Sequence, residues 1–128
     1  MSAGPGFALV PADGSPLRVA VAGAGGMGRT WLRTIEATED VVVVGIADID
    51  SVAAERAAAE IGRPSIAVGT DVVAVALAAD AQAVINVTIP EAHHPVTTAA
   101  LRAGLPVLGE KPVAATVAEG MSLAACAE

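Results

Sequence analysis

The sequence predicts an α/β fold, namely a doubly wound parallel sheet of about five strands with helices on both faces. Short aliphatic runs alternate along the chain with stretches of helical pattern, which is the order of a parallel sheet built with right-handed crossovers. Of the 128 residues, 54% are hydrophobic and only 2% are aromatic, so Val, Ala, Ile and Leu must fill the interior. Aliphatic strands of this kind are typical of a parallel sheet that is buried on both faces.

The strands and helices are placed by runs of β-branched residues, by capping residues, and by glycine and proline stops. Thr116 and Glu119 have the spacing of a capping box, which marks the start of the last helix. Predicted strands cover residues 17–22, 41–47, 65–68, 83–88 and 106–108. Predicted helices run from about 27 to 37, from 50 or 51 to 61, from 70 or 71 to 79, from 90 or 91 to 104, and from 116 onward.

The domain organisation is read from composition and from the pattern near residue 128. Residues 1–16 contain three Pro and three Gly and are predicted to be a flexible leader, and residues 17–128 are predicted to form one domain. The last helix has run about three turns at residue 128, with no stop signal and no following strand. We therefore expect a sixth strand and a C-terminal domain to be missing, so that the chain is a piece of a two-domain protein. The alternative is a small natural protein with a frayed C-terminal helix.

Charge and cysteine content exclude several classes of function. The net charge is −7 and no basic stripe is present, which argues against a nucleic-acid or anionic-membrane partner. Cys126 is the one cysteine, so an internal disulfide or a cysteine-based zinc site is excluded, and a reducing, cytoplasmic location is expected. The first residues do not have the pattern of a signal peptide, and the apolar runs are too short to span a membrane.

A glycine-rich segment, Gly23-Ala-Gly25-Gly26-Met27-Gly28, follows the first strand and opens the first helix. In such a loop Gly23 lets the chain turn tightly, Gly25 lets the backbone approach a pyrophosphate, and Gly28 lets the helix pack closely on the strand. The helix N-terminus offers free N–H groups and a partial positive charge to the phosphates. The motif alone is weak, but here it lies in a βαβ unit with an acid at the expected distance. The segment predicts a dinucleotide site, in which Gly26 and Met27 are further contacts.

That acid is Asp48, which lies 20 residues beyond Gly28 at the end of the second strand. Its carboxylate can accept hydrogen bonds from both hydroxyls of the adenosine ribose and would repel a 2′-phosphate. Ile49 comes next and offers no cation for such a phosphate, so NAD is favoured over NADP. The alternative is that Asp48 or Asp50 only caps the following helix, and Asp50 is the better cap. Arg29 is expected to be a solvated side chain rather than a phosphate contact.

A second polar cluster, Asn-Val-Thr-Ile-Pro-Glu-Ala-His-His at residues 86–94, follows the fourth strand at the place where the strand order should reverse. It should therefore line the ligand crevice. His93 and His94 suggest a metal, but adjacent helical residues do not face one direction and no third ligand is suitably spaced. No metal is predicted, and we expect one histidine to face the cofactor and the other to face solvent.

A third cluster, Glu110-Lys111-Pro112, lies at the end of the fifth strand, again at the crevice. A lysine placed there can hydrogen-bond a substrate hydroxyl or carbonyl and take part in proton transfer. From spacing alone, a surface Glu–Lys pair before a proline is the default interpretation.

Together these motifs resemble the Gfo/Idh/MocA family of oxidoreductases, over residues 17–128. The glycine loop, Asp48, the Pro90-to-His94 stretch and the Glu-Lys-Pro stretch stand in the family's order. The resemblance implies a Rossmann fold that binds NAD, with Lys111 beside the nicotinamide and the substrate as the catalytic residue, and Glu110 and His94 near the cofactor. It implies hydride transfer between NAD(H) and a hydroxyl-bearing carbon of a sugar or cyclitol.

The sequence departs from the family pattern at Ile89, which replaces the usual threonine before Pro90. Thr88 is the hydroxyl that could partly substitute at the cofactor. The family's second domain supplies most substrate contacts, so we expect the isolated chain to bind NAD weakly and to turn nothing over. An uncovered sheet edge should favour a homo-oligomer. The alternatives are a non-catalytic dinucleotide-sensing module, a dihydrodipicolinate reductase-like enzyme, and, least favoured, a structural protein without a ligand.

Overall fold

The computed structural model describes residues 14–109 and residue 126 of the chain. The predicted leader lies outside the described residues except for its last three positions, and so does the helix predicted from residue 116, except for the helical residue 126. Both stay predictions. The described elements are β1 (Leu17–Ala22), α1 (Gly26–Glu36), β2 (Val41–Ala47), α2 (Ser51–Glu60), β3 (Ala67–Gly69), α3 (Val72–Ala78), β4 (Ala83–Asn86), α4 (Pro90–Arg102) and β5 (Val107–Gly109).

The five strands form one parallel sheet in the order β3-β2-β1-β4-β5, which confirms the predicted doubly wound fold. From β1 the chain proceeds to β2 on one side, whereas from β4 it proceeds to β5 on the other side. The loops that follow β1 and β4 therefore leave in opposite directions, and a crevice opens between them at the carboxyl edge of the sheet.

Helices cover both faces of the sheet, and alternate residues of β1 show how the two cores differ. Val19 and Val21 belong to the core beneath α1 and α2, whereas Ala20 and Ala22 belong to the core beneath α3 and α4. All four side chains are buried. Because alanine is the smaller residue, α3 and α4 can pack closer to the sheet than the valine face would allow.

Strand β2 contains a bulge. Ala20 pairs with Gly45, although the preceding residue of β1 pairs with Val43, so Val44 is an extra residue in β2. Gly45 then faces α3, and a Cβ at this position would lie 2.5 Å from Cγ1 of Val75. The missing side chain therefore allows Val75 to pack directly on the sheet.

Aspartate side chains cap two of the helices. Asp50 accepts hydrogen bonds from the backbone N–H groups of Val52 and Ala53, at 3.0 and 3.4 Å, and Asp71 caps α3 in the same way with Val73 at 2.9 Å. Caps of this type satisfy N–H groups that have no partner within the helix. Asp50 is thus the cap of α2, as expected, which leaves Asp48 for another role.

Three predicted strands have different limits in the structure. The fifth was predicted at 106–108 and lies at Val107–Gly109, because its pairing with β4 starts at Val107. The third was predicted at 65–68 and lies at 67–69, because the N–H of Ile66 donates to the carbonyl of Arg63 in the preceding turn and pairing with β2 starts only at Ala67. The fourth was predicted to reach residue 88 and ends at Asn86. It ends there because the N–H of Thr88 donates to the side chain of Asn86 rather than to a neighbouring strand.

An apolar groove of about 350 Å³ lies on the face covered by α1, between that helix and β5. Trp31 and Ile35 of α1 line one side of it, and Leu108 of β5, which is more than half exposed, lines the other. Exposed apolar surface of this kind promotes association. The homo-oligomer expected from the sequence stays a prediction.

Candidate cofactor site

The glycine loop joins β1 to α1 at the carboxyl edge, and close contacts require two of its glycines. Gly23 has a φ of +110°, and a Cβ there would lie 2.6 Å from the carbonyl oxygen of Val87. A Cβ on Gly28 would collide with the carbonyl group of Gly23, whose carbon would be 2.7 Å away. Gly23 therefore turns the chain against the residue that follows β4, and Gly28 lets α1 pack on the loop itself.

The outer side of the same loop is open. A Cβ on Gly25 or Gly26 would meet nothing within 4 Å, so no part of the described chain occupies the space in front of them. Gly25 is the N-cap of α1 and provides no side-chain cap, and the first turn contains no acidic residue. The helix itself therefore supplies no side chain that would cap the N–H groups of that turn or offset the positive end of the helix dipole.

Asp48 connects the end of β2 to this loop. Its Oδ2 accepts a hydrogen bond from the backbone N–H of Ala24 at 2.7 Å, and its Oδ1 accepts one from the N–H of Asp50 at 2.8 Å. The side chain is half-buried. A carboxylate offers about four lone-pair sites, so two remain after these bonds are made. The carboxylate is therefore held in one orientation beside the loop and can still accept hydrogen bonds from a ligand.

Three large apolar side chains are exposed at the carboxyl edge. Ile49 lies just beyond β2 and is 93% exposed, and Ile89 lies just beyond β4 and is 65% exposed. Met27 is the second residue of α1 and is 56% exposed. Ligand sites are commonly lined by apolar side chains with a few polar groups that fix orientation. The combination of these three residues with the Asp48 carboxylate has that character.

The turn between β4 and α4 is held by buried polar side chains. Asn86 is fully buried: its Oδ1 accepts from the N–H and the hydroxyl of Thr88, at 3.2 and 2.6 Å, and its Nδ2 donates to the hydroxyl of Thr97 at 2.8 Å. Nδ2 also lies 3.2 Å from the carbonyl oxygen of His93. The imidazole of His93 is 2% exposed, and its Nε2 lies 2.7 Å from the carbonyl oxygen of Thr88. Because a carbonyl only accepts, Nε2 must carry the proton.

This turn corrects one prediction and qualifies another. With His94 assigned to the cofactor, His93 was the histidine expected to face solvent. His93 is buried instead, so that expectation is wrong, and His94 is half-buried. His93 is turned inward because its imidazole donates to the Thr88 carbonyl. The hydroxyl of Thr88 donates to Asn86, so it can offer a cofactor only its oxygen lone pairs. Asn86 was not singled out as a site residue, although an amide within the aliphatic run of β4 signals that it needs buried partners.

The remaining predicted residues are placed as follows. Arg29 was expected to be a solvated side chain, and in the structure it is ion-paired with α2, where its Nε donates to Oε2 of Glu60 at 2.8 Å. Pro90 occupies the first turn of α4. Glu110 and Lys111 lie outside the described residues, directly after Gly109 at the end of β5. Within residues 14–109, no group of three or more His, Cys, Asp or Glu side chains could hold a metal, and no helix is long and apolar enough to cross a membrane.

The geometry agrees with a match to a known family. The family described as "Oxidoreductase family, NAD-binding Rossmann fold" matches residues 17–128, which is nearly all of the chain. The chain belongs to this family. Its sheet and glycine loop are thus those of the NAD-binding Rossmann domain of the family, and the resemblance to Gfo/Idh/MocA oxidoreductases is confirmed.

Individual members of the family resemble the chain at moderate identity. Inositol 2-dehydrogenase 4 of Saccharopolyspora erythraea is 40% identical over 98 residues, which cover 76% of this chain and 28% of that protein. The myo-inositol dehydrogenase of Lactobacillus casei, solved with NAD(H) and myo-inositol, superposes with a TM-score of 0.80 at 27% identity and covers 87% of this chain and 33% of that one. A 3-ketoreductase from Actinomadura kijaniata, solved with NADP, superposes with a TM-score of 0.77 at 27% identity and covers 88% and 35%. The chain therefore spans about a third of the length of these relatives.

Proposed function

We propose that the chain binds NAD(H) across the carboxyl edge of its sheet and is the cofactor-binding portion of an oxidoreductase. That enzyme would transfer a hydride between the nicotinamide and a hydroxyl-bearing carbon of a sugar or cyclitol-like substrate. The observation that carries the proposal is the Asp48 carboxylate, which is hydrogen-bonded to the glycine loop at Ala24 and still has lone pairs for the two ribose hydroxyls.

The described residues fit the adenosine half and the pyrophosphate of NAD. The space in front of Gly25 and Gly26 is open, and the first-turn N–H groups of α1, from Gly26 to Gly28, face it. Ile49 offers an apolar surface next to Asp48 on which an adenine ring can rest. Asp48 would repel a 2′-phosphate, and Ile49 supplies no cation for it, so we infer a preference for NAD over NADP.

The nicotinamide half would lie on the other side of β1, towards the ends of β4 and β5. Thr88, Pro90 and His94 would line that side, with Glu110 close to the cofactor. Lys111 would hydrogen-bond the oxygen of the substrate's reacting carbon and hold or accept its proton. When bound, the nicotinamide supplies the hydride acceptor or donor. Relatives named as inositol dehydrogenases support a small polyhydroxylated substrate.

The binding proposal is tested by isothermal titration calorimetry of the 128-residue chain with NAD and with NADP. We expect NAD to bind more tightly than NADP. We expect Gly25→Ala to leave the fold intact, because its Cβ meets no protein atom, and to weaken NAD because that methyl group occupies the approach of the pyrophosphate. Arg29→Gln is the matched control beside the loop and should bind NAD within about twofold of the parent, since Arg29 pairs with Glu60. Clear NADP preference, or unchanged NAD binding by Gly25→Ala, would contradict the proposal.

The catalytic proposal needs a longer polypeptide in which this domain continues into the family's substrate domain. There we expect Lys111→Ala to lower kcat by about 100-fold or more, as for loss of a general acid–base group, while the Kd for NAD changes little. Turnover that survives Lys111→Ala would instead favour a domain in which Lys111 is a surface residue.

A further inference from the structure

We propose that Asn86, together with His93 and Thr97, is a positioning unit that fixes the β4–α4 turn and thereby sets the affinity for the nicotinamide half of the dinucleotide. The inference rests on the proposed function and extends it. Asn86 and His93 are the buried polar side chains among the described residues, and both belong to this one turn. Because burying a polar group is unfavourable unless it is hydrogen-bonded, two such side chains in one turn of an otherwise aliphatic interior indicate a specific role for that turn.

The hydrogen bonds of the unit converge on a single residue. Oδ1 of Asn86 accepts hydrogen bonds from the N–H and the hydroxyl of Thr88, and Nε2 of His93 donates to the carbonyl oxygen of Thr88. Thr88 is therefore held at three polar atoms. Asn86 is in turn fixed from α4, because Nδ2 donates to the Thr97 hydroxyl at 2.8 Å. Oδ1 and Nδ2 of Asn86 and Nε2 of His93 thus each have a partner, and a buried network with paired polar atoms rigidifies a structure instead of destabilising it.

The location of the turn determines which half of the cofactor it can affect. In the strand order β3-β2-β1-β4-β5, Asp48 lies beyond β2 on one side of the glycine loop, and Thr88 lies beyond β4 on the other side. A dinucleotide with its ribose at Asp48 and its pyrophosphate at the loop must extend its second half over the end of β4. The exposed residue Ile89 follows Thr88 directly, so the backbone that the unit holds forms the floor of that half of the crevice.

The hydrogen bonds of the unit hold the backbone at Thr88, after Val87, and do not hold the glycine loop. The N–H of Val87 donates to the carbonyl of Ala22 at 2.8 Å, a sheet hydrogen bond that does not involve Asn86. The contact of Gly23 with the Val87 carbonyl is therefore independent of the unit. Loosening the unit should move Thr88 and Ile89 but spare the part of the site that binds the adenosine half and the phosphates.

The test compares affinity for NAD with affinity for ADP, which contains only the adenosine half and the phosphates, using the whole 128-residue chain. We expect Asn86→Ala to lower NAD affinity about tenfold and to leave ADP affinity within about twofold. Thr97→Val removes one hydroxyl of the unit at constant shape and should lower NAD affinity by a smaller factor. Its matched control is Thr98→Val on the same helix, because the buried Oγ1 of Thr98 makes no hydrogen bond in the described part of the chain.

A conservative replacement distinguishes positioning from mere packing. His93→Gln places an N–H at about the reach of the imidazole Nε2 and should preserve the NAD-to-ADP affinity ratio, whereas His93→Leu removes that donor and should lower the ratio. Equal losses of NAD and ADP affinity, or an unchanged ratio in Thr97→Val and His93→Leu, would overturn the inference and leave NAD binding itself untouched. Failure of the unaltered chain to bind NAD would overturn the proposed function together with the inference. If Asn86→Ala does not fold, the NAD-to-ADP affinity ratios of Thr97→Val and His93→Leu test the inference without it.

Discussion

Oδ2 of Asp48 lies 2.7 Å from the backbone nitrogen of Ala24, so the acid at the end of β2 is hydrogen-bonded to the glycine loop after β1. The two elements of the proposed adenosine and phosphate site are thus physically joined before any ligand arrives. A ligand that uses both does not have to order them, and the conformational cost of binding is correspondingly lower.

Replacing Asp48 by asparagine tests this connection. The amide keeps the size of the side chain but presents an NH₂ group to one of the two N–H donors, so one hydrogen bond and the negative charge are lost. Hydrogen bonds to charged groups are worth about 1.5–3 kcal/mol, so NAD affinity should fall roughly 10- to 100-fold in a calorimetric titration. Asp50→Asn is the control, because asparagine is as good an N-cap as aspartate, and its NAD affinity should be unchanged. Equal losses in the two variants would argue against a ribose contact for Asp48.

Replacement by alanine should have opposite effects on the free energy of unfolding at two glycines of the loop, Gly28 and Gly26. Gly28→Ala places a methyl group into the carbonyl of Gly23, which is backbone that cannot rotate away, so we expect a loss of at least about 2 kcal/mol in the free energy of unfolding. Gly26→Ala places its methyl group in open space in the first turn of α1 and should be neutral or raise stability by up to about 1 kcal/mol. Urea unfolding followed by circular dichroism measures both. A Gly28→Ala variant as stable as the parent would mean that α1 can shift away from the loop.

The contact between Gly45 and Val75 can be measured by a double-mutant cycle. Gly45→Ala should destabilise the chain by about 1–3 kcal/mol, because its Cβ would lie 2.5 Å from Cγ1 of Val75. Val75→Ala removes the obstructing methyl groups, so the double variant should be more stable than the sum of the single effects by at least about 0.5 kcal/mol. Strict additivity in urea unfolding would show that the added methyl group is accommodated elsewhere.

The turn between α3 and β4 contains Asp80 at a φ of +58°, a conformation that residues other than glycine rarely adopt. Arg18 holds it, since Nε donates to the Asp80 carbonyl at 3.0 Å and the guanidinium also pairs with the exposed carboxylate. Asp80→Gly removes the backbone strain and loses an ion pair worth about 0–1 kcal/mol, so thermal unfolding should show little net change. Asp80→Ala keeps the strain and loses the pair, so it should be less stable than Asp80→Gly by about 1 kcal/mol. The reverse order would indicate that the turn changes its conformation.

The fold, and the part of the site formed by the glycine loop and Asp48, could be predicted from the sequence because they depend on the local pattern of residues along the chain. The limits of β1 and β2 agree with the aliphatic runs, and the doubly wound order follows from the alternation of strands and helices. Asp48 could be predicted because its distance from Gly28 reflects one βαβ unit of ordinary length.

The Asn86 unit could not be predicted in the same way, because its partners are chosen by tertiary packing. Nothing in the spacing of residues 86–97 states that His93 turns inward to the Thr88 carbonyl while Thr97 approaches the Asn86 amide. The same network explains why the fourth strand is shorter than its aliphatic run, since Asn86 captures the N–H of Thr88. The orientation of side chains in such a turn depends on which hydrogen bonds the burial of polar atoms makes obligatory.

The extra residue in β2 breaks the usual relation between residue number and facing along that strand. Side chains of a regular strand return to the same face at every second residue, yet Val43 and Ile46 lie in the same core although they are three positions apart. Val44 accounts for the odd spacing, because pairing with β1 resumes in register at Gly45. The face on which a residue near the end of β2 lies therefore cannot be counted from the first half of the strand. It follows instead from the residue of β1 with which it is paired.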